Sequence, residues 1–197
     1  MARKPSSTAW TERLAGQLRI IGGVWGGRRL AVQGASGLRP TADRNRETLF
    51  NWLQWQVAGS RVLDLFAGTG ALGIEALSRG AVEAVFVERA RQPAMALRER
   101  LGDLDATERA EVIVADARQY LAGQARPFDL VFLDPPFDQA LLAPVLERLA
   151  LGDWLSPEAL VYVESRERPD PGVLPPDWAV WREKRSGAVW YGLLATA

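Results

Sequence analysis

This chain is expected to fold as α/β, with a mostly parallel seven-stranded sheet covered by helices on both faces. Three observations support that. From Arg61 onward, short apolar runs alternate with helical stretches, the rhythm of βαβ crossovers. The first of these runs leads into a glycine-rich turn, Asp64-Leu-Phe-Ala-Gly-Thr-Gly70, as a strand does where it hands over to a helix. The end of the chain then breaks the rhythm, with two apolar stretches and no helix between them, which reads as a closing antiparallel hairpin.

Taken in order, residues 1–17 are polar and mixed and are expected to be a mobile extension. Residues 18–40 form an arm. Leu18–Ile21 and Arg28–Val32 are short strands joined across Gly22-Gly23 and Gly26-Gly27 as a β-hairpin, and Gly34 to Pro40 is a loop. The body is 41–197. It opens with a helix for which Thr41 is a plausible N-cap, and Leu49, Phe50, Leu53 and Val57 repeat at helical spacing to face the core. Buried strands are read at 62–65, 84–87, 112–115, 130–133 and 160–163, with helices near 71–79, 91–102, 117–122 and 139–150. The closing hairpin is Ala179–Arg182, a turn over Glu183–Gly187, and a last strand from Ala188 to Ala195. The eight tryptophans read as core or boundary packing, with Trp25, in its glycine-rich turn, the candidate exception.

Composition removes several chemistries. The chain has no cysteine and no histidine, so thiolate nucleophiles, imidazole acid–base catalysis and Cys/His metal sites are excluded, and no metal is expected. Its apolar runs are too short to span a bilayer and no signal peptide is visible, so a soluble, cytoplasmic protein with no membrane partner is expected. Net charge is zero but unevenly spread: residues 1–61 carry 10 Lys/Arg against 3 Asp/Glu, and residues 62–197 carry 14 against 21. A basic first third on an acidic body is the footprint of a polyanion-binding arm.

Gly68-Thr-Gly70-Ala-Leu-Gly73 satisfies the G-x-G-x-x-G pattern, and Glu88 ends the next strand, which by itself supports a dinucleotide. Asp64 weighs against that, because a carboxylate four residues before the first glycine repels a pyrophosphate. It suits the ammonium end of an amino-acid moiety, which S-adenosylmethionine has without any phosphate. Glu88 would then hold ribose hydroxyls and Asp116, ending the third strand, an adenine amino group. The candidate cofactor residues are Asp64, Phe66, Ala67, Gly68, Thr69, Gly70, Glu88, Arg89, Asp116 and Ala117.

The second motif is Asp134-Pro135-Pro136-Phe137, directly after Leu130-Val-Phe-Leu133. Two prolines fix the backbone and remove two donors. What remains is a ledge with a carboxylate, outward carbonyls and a flat ring, suited to a planar heterocycle bearing an amine. With this ledge the chain resembles the class I S-adenosylmethionine-dependent N-methyltransferases, a Rossmann-like fold whose acceptor motif is [Asp/Asn/Ser]-Pro-Pro-[aromatic]. It is more specifically similar to the RsmD-type enzymes, which methylate the exocyclic N2 of a guanine in bacterial small-subunit (16S) ribosomal RNA. The closer match is carried by Arg19-Ile-Ile-Gly-Gly-Val-Trp-Gly-Gly-Arg-Arg-Leu30 and by Leu38-Arg-Pro-Thr-Ala-Asp-Arg-Asn-Arg-Glu-Thr-Leu-Phe-Asn-Trp-Leu53, and it is extended by Phe128–Phe137 and Tyr191-Gly-Leu-Leu194. Asn45, where a β-branched residue is usual, and Gly26, where a basic one is common, depart from the pattern.

The resemblance implies an rRNA methyltransferase acting on ribosomal RNA within an assembled or assembling small subunit. Asp134 and the Pro135 carbonyl would accept from the amine, with Pro136 stiffening the ledge. Phe137 would stack on the extruded base, worth about 1–3 kcal/mol, against a few kcal/mol to unstack it. Arg19, Arg28, Arg29, Arg39, Arg44 and Arg46 are the expected phosphate contacts, together with Thr41; the alternative for Thr41 is contact with the methionine end of the cofactor, since the resemblance implies that its segment lies over that pocket. The same ledge would also serve an adenine-N6 methyltransferase on DNA or RNA. A dinucleotide oxidoreductase and a non-catalytic RNA-binding factor are the remaining alternatives.

Overall fold

A computed structural model describes residues 16–32, 40–136 and 141–196, without the side chains of 40–42. The extension up to residue 15, Trp10, the loop over 33–39 with Arg39, and Phe137 lie outside the described residues, as does the Thr41 side chain.

The apolar runs of the body become five parallel strands: β3 (Arg61–Asp64), β4 (Glu83–Glu88), β5 (Ala110–Val114), β6 (Phe128–Leu133) and β7 (Leu155–Ser165). The closing hairpin adds β8 (Ala179–Ser186) and β9 (Val189–Ala195), with β9 antiparallel to β7. The seven strands stand in the order β5-β4-β3-β6-β7-β9-β8. Strand order reverses between β3 and β6, and in open α/β sheets ligands bind outside the carboxyl ends of the strands at such a point.

Alternate residues of each strand feed two cores. Val62, Phe86, Leu130, Phe132 and Tyr162 face α1 (Pro40–Trp52), α2 (Ala71–Ser78) and α3 (Arg91–Asp103). Leu63, Val85, Val131 and Val161 face α4 (Ala117–Tyr120) and α5 (Leu142–Leu151). These apolar runs are buried on both sides, which is why they do not alternate with polar residues.

Several expected boundaries move. Gly16 and Gln17, expected in the mobile extension, are strand residues paired with Val32 and Ala31, and β7 starts at Leu155 rather than 160. Thr41 lies inside the first turn of α1, because the helix already starts at Pro40, where a fixed φ and a missing N–H cost nothing. Glu183 to Ser186, expected as a turn, continues β8, and the chain reverses at Gly187 (φ 61°). As the last strand of the sheet, β8 leaves Trp181 to Arg185 exposed, so it lacks the apolar pattern of a covered strand.

The arm is a two-stranded antiparallel sheet, β1 (Gly16–Arg19) with β2 (Arg29–Val32). It is part of the core: Leu18, Ile20, Trp25, Leu30 and Val32 are buried in one cluster with Ile74 and Leu77 of α2. Helix α2, sandwiched between sheet and arm, is buried from Gly73 through Ser78. The turn at Gly22-Gly23 makes this approach possible, since a Cβ on Gly23 (φ 77°) would sit 1.9 Å from the Ser78 carbonyl oxygen. That oxygen accepts from Val24 N (2.7 Å), and Ser78 Oγ accepts from Trp25 N (3.0 Å) while donating to the Gly22 carbonyl (2.6 Å). Trp25 is therefore a core residue with the Arg109 guanidinium over its ring at 5.6 Å, not a free stacking platform. Among the described tryptophans, Trp55, at 83% exposed, and Trp181, at 43%, depart from the packing expectation.

Candidate active site

Three glycines shape the turn from β3 into α2, each in a different way. Gly68 has φ 50°, and a Cβ there would come no nearer than 3.9 Å to any other group, so its bare backbone faces open space. Gly70 is the left-handed N-cap of α2, packed against Leu97 and Ile74. A Cβ on Gly73 would lie 2.2 Å from the Phe86 ring, so this glycine sets how closely α2 lies on the sheet.

A cavity of about 510 Å³ opens beside this turn, at the carboxyl ends of the parallel strands. Of the residues expected to hold a cofactor, Asp64, Phe66, Ala67, Gly68, Thr69, Glu88, Arg89, Asp116 and Ala117 line it. Gly70 does not; its work is the helix start. From the acceptor ledge, Asp134 and Pro136 line the same cavity, and Pro135 is buried behind them. Leu65, Leu72, Val87, Ala115 and Leu141, with Ala71 and Ala90, complete the apolar wall. Leu65, Val87 and Ala115 lie next to strand ends, Leu72 falls within the G-x-G-x-x-G stretch, and nothing in the sequence marked Leu141.

Each acid is held in its own way. Asp64 is buried and accepts from Gly73 N at 3.2 Å, with the Phe66 amide as a further donor. Loss of hydration pushes its carboxyl up to about 7, with the charge of Glu88 adding to the rise and the two amides opposing it. Glu88 accepts from Gly68 N (3.0 Å) and Ala90 N (2.7 Å), which ties the glycine turn to the start of α3. Asp116 caps α4 by accepting from Arg118 N (3.0 Å) and pairs with Arg118 Nε (3.2 Å). Desolvation acts upward on it, but these contacts outweigh that and hold it below the usual carboxylate range.

Asp134 opens onto the cavity. Its carboxyl is raised to about 8, first by desolvation and then by the negative charges of Glu164 and Asp64. Asp134 is exposed on its cavity side, and hydration there moderates that rise. Asp64 and Phe132 are register partners across β3 and β6, so Asp134, two residues on, leaves its strand on the same side of the pleat. The cofactor wall and the ledge therefore share one cavity and one face.

The cavity lining carries four acids, Asp64, Glu88, Asp116 and Asp134, and one arginine, Arg89. Such a field disfavours a pyrophosphate and favours a ligand with positive charge and no phosphate. Among the described residues no group of His, Cys, Asp or Glu is arranged to hold a metal ion, and no helix is long and apolar enough to cross a membrane.

A family model described as Conserved hypothetical protein 95 matches residues 18–195. The ribosomal RNA small subunit methyltransferase D of Escherichia coli K12 is 46% identical over 179 residues, covering 91% of this chain and 90% of that protein. The chain belongs to this family. The Haemophilus influenzae member is 45% identical over 186 residues, covering 93% and 96%. Among solved structures, the Escherichia coli protein yhhF superposes with a TM-score of 0.84 at 45% identity, over 92% of this chain and 98% of that one.

Of the arginines expected to contact phosphates, Arg19, Arg28, Arg29 and Arg44 are exposed. Arg28 donates to the Asp103 carbonyl (3.1 Å), which holds it against the body, and Arg29 donates to Gln17 of β1 (3.4 Å), within the arm. Arg46 departs from its expected place among the phosphate contacts. It is 4% exposed, donates to the Arg19 carbonyl and to Asp43 (3.0 Å), and stands 4.0 Å from Glu75. Burial pushes its guanidinium pKa down, with Glu75 and Asp43 opposing.

Glu75 itself gave no functional signal in the sequence. It is 1% exposed and accepts from Ile21 N, Gly22 N and Arg79 Nε, each at 2.8 Å. Arg100 makes a second link, donating to Ala31 O of β2 and to Thr69 O of the glycine turn, both at 3.0 Å. The arm is thus hydrogen-bonded to both ends of the α2 unit.

Proposed function

We propose that this rRNA methyltransferase moves a methyl group from S-adenosylmethionine to the exocyclic N2 of a guanine in small-subunit ribosomal RNA. The observation that carries this reading is the single acidic cavity that joins the glycine turn to the Asp134 ledge. Its sign supports a cationic, phosphate-free donor over a dinucleotide.

The residues of the chain act as follows. Asp64 faces the amino-acid end of the donor, Glu88 the ribose and Asp116 the adenine amine. When bound, S-adenosylmethionine supplies a methyl already activated by a positively charged sulfur. Asp134, in its carboxylate form, and the Pro135 carbonyl accept the two N–H bonds of the guanine amine. This draws the nitrogen toward tetrahedral geometry and aims its lone pair. Pro135 and Pro136 keep those acceptors from moving, so most of the rate comes from alignment. Phe137 stacks on the flipped base. Arg19, Arg28, Arg29, Arg39 and Arg44, with the Thr41 segment, hold RNA phosphates. A docked arm of fixed shape suits a preformed surface, and the proposed substrate is rRNA within an assembled or assembling small subunit.

Asp134→Ala tests the reading. Methyl transfer should be abolished while S-adenosylmethionine affinity by calorimetry stays within about threefold. Retained activity would remove Asp134 as the partner of the amine.

A further inference from the structure

One half-buried acid, Glu164, is not used by that mechanism. In the β6–β7 ladder Leu133 pairs with Val163, the last pair of that ladder, so Asp134, one residue past the end of β6, follows beside Glu164 of β7, where neighbouring strands run about 4.8 Å apart. Phe132 and Tyr162, two residues earlier on each strand, meet edge to face at 6.3 Å. By the period of the pleat, Asp134 and Glu164 project on that same face. Glu164 does not line the cofactor cavity. The Tyr162 hydroxyl donates to it at 2.6 Å from a fully buried ring, which fixes the carboxylate behind the ledge.

The groups around Asp134 are mostly acidic. Asp64 acts from β3, Glu164 from β7, and Tyr162 sits between Glu164 and Tyr191 of β9. Lys184 of β8 is the register partner of Tyr191 and lies two strands beyond Glu164. An ordinary aspartate is a weak base near neutral pH. A second carboxylate fixed beside it makes uptake of one proton favourable, because protonation relieves the repulsion.

We propose that Glu164 is a positioning residue for Asp134: anchored by Tyr162, its carboxylate makes Asp134 the acceptor of the proton released in the reaction. The inference rests on Asp134 as the partner of the amine. The nitrogen lone pair forms the new N–C bond, and the broken S–C bond leaves its electron pair on sulfur. One N–H bond then leaves its pair on nitrogen as the proton passes to Asp134 and from there to water.

The test is a carbon-detected NMR titration of the Asp134 and Glu164 carboxyls in the full chain without ligand, alongside the pH profile of kcat/KM. In the wild-type chain each curve should carry the other group's step as a second inflection. Glu164→Gln, which keeps an acceptor for Tyr162, should lower the Asp134 midpoint by one pH unit or more, tenfold in proton affinity. The acid limb of kcat/KM should move down with it, whereas Glu164→Asp, which retains the charge, should restore most of the wild-type midpoint. Single-step wild-type curves, or an Asp134 midpoint unmoved by Glu164→Gln, would overturn the proposal. If those results appear while Asp134→Ala still abolishes transfer, the methyl-acceptor reading stands and only the role of Glu164 falls. If the titrations behave as expected but Asp134→Ala stays active, the acceptor reading is what fails.

Discussion

Removing the Glu75 carboxylate should unfasten the arm and destabilise the whole chain. Glu75→Ala deletes the acceptor of two backbone amides, Ile21 N and Gly22 N, both at 2.8 Å. Hydrogen bonds to a charged group are worth about 1.5–3 kcal/mol each. The same change strips Arg46, 4% exposed, of its nearest buried counter-charge, and breaking a buried pair costs about 3–5 kcal/mol. The two losses share one carboxylate and do not add, so about 4 kcal/mol is expected. At about 2–4 °C per kcal/mol for a domain of this size, Tm should fall by about 8–16 °C in a calorimetric scan. Hydrogen exchange at Ile21 and Gly22 should accelerate well beyond that at Val85 or Val131 in the sheet. A variant melting within about 2 °C of wild type, with both amides still protected, would refute the role given to Glu75.

Three further outcomes follow from the same geometry. Gly73→Ala pushes a methyl to within 2.2 Å of Phe86; it should cost about 1–3 kcal/mol by denaturant titration and weaken cofactor binding by displacing the glycine turn. With its folded pKa raised to about 7, Asp64 binds more protons folded than unfolded, so its contribution to stability falls as pH rises from about 4 to 7; Asp64→Asn should flatten that part of the stability profile. S-adenosylmethionine affinity should rise over the upper part of that range as the carboxylate forms, and calorimetry on Asp64→Asn should find that rise gone. Asn45 is 3% exposed with a side-chain oxygen that has no hydrogen-bond partner, so Asn45→Val should raise stability by about 1–3 kcal/mol, read as a higher Tm.

The strands of the body were legible because a parallel sheet covered on both faces demands unbroken apolar runs, and Ala84–Val87 and Leu130–Leu133 are such runs. The edge strand β8 was harder to read: with water along its open side, Glu183, Lys184 and Arg185 look like a turn. At the site, the acids at strand ends were readable because each follows an apolar run directly. Arg46 was misplaced despite an available signal, since 46, 49, 50 and 53 share the spacing of the buried stripe of α1. Glu75 stands alone in the apolar stretch Ala-Leu-Gly-Ile-Glu-Ala-Leu-Ser. A lone acid there implies a hidden partner; Arg79 is within helical reach, but the two arm amides lie 53 and 54 residues away, and only the folded arm brings them near. Glu164 likewise becomes a neighbour of Asp134 through strand register, which no local pattern encodes.

The acceptor atom is tested most directly by mass spectrometry of nucleosides from small-subunit RNA of cells lacking this protein, before and after incubation of their subunits with the purified chain and S-adenosylmethionine. An N2-methylguanosine missing beforehand and restored afterwards is the expected result. A methyl appearing on adenine, with guanine untouched, would contradict it.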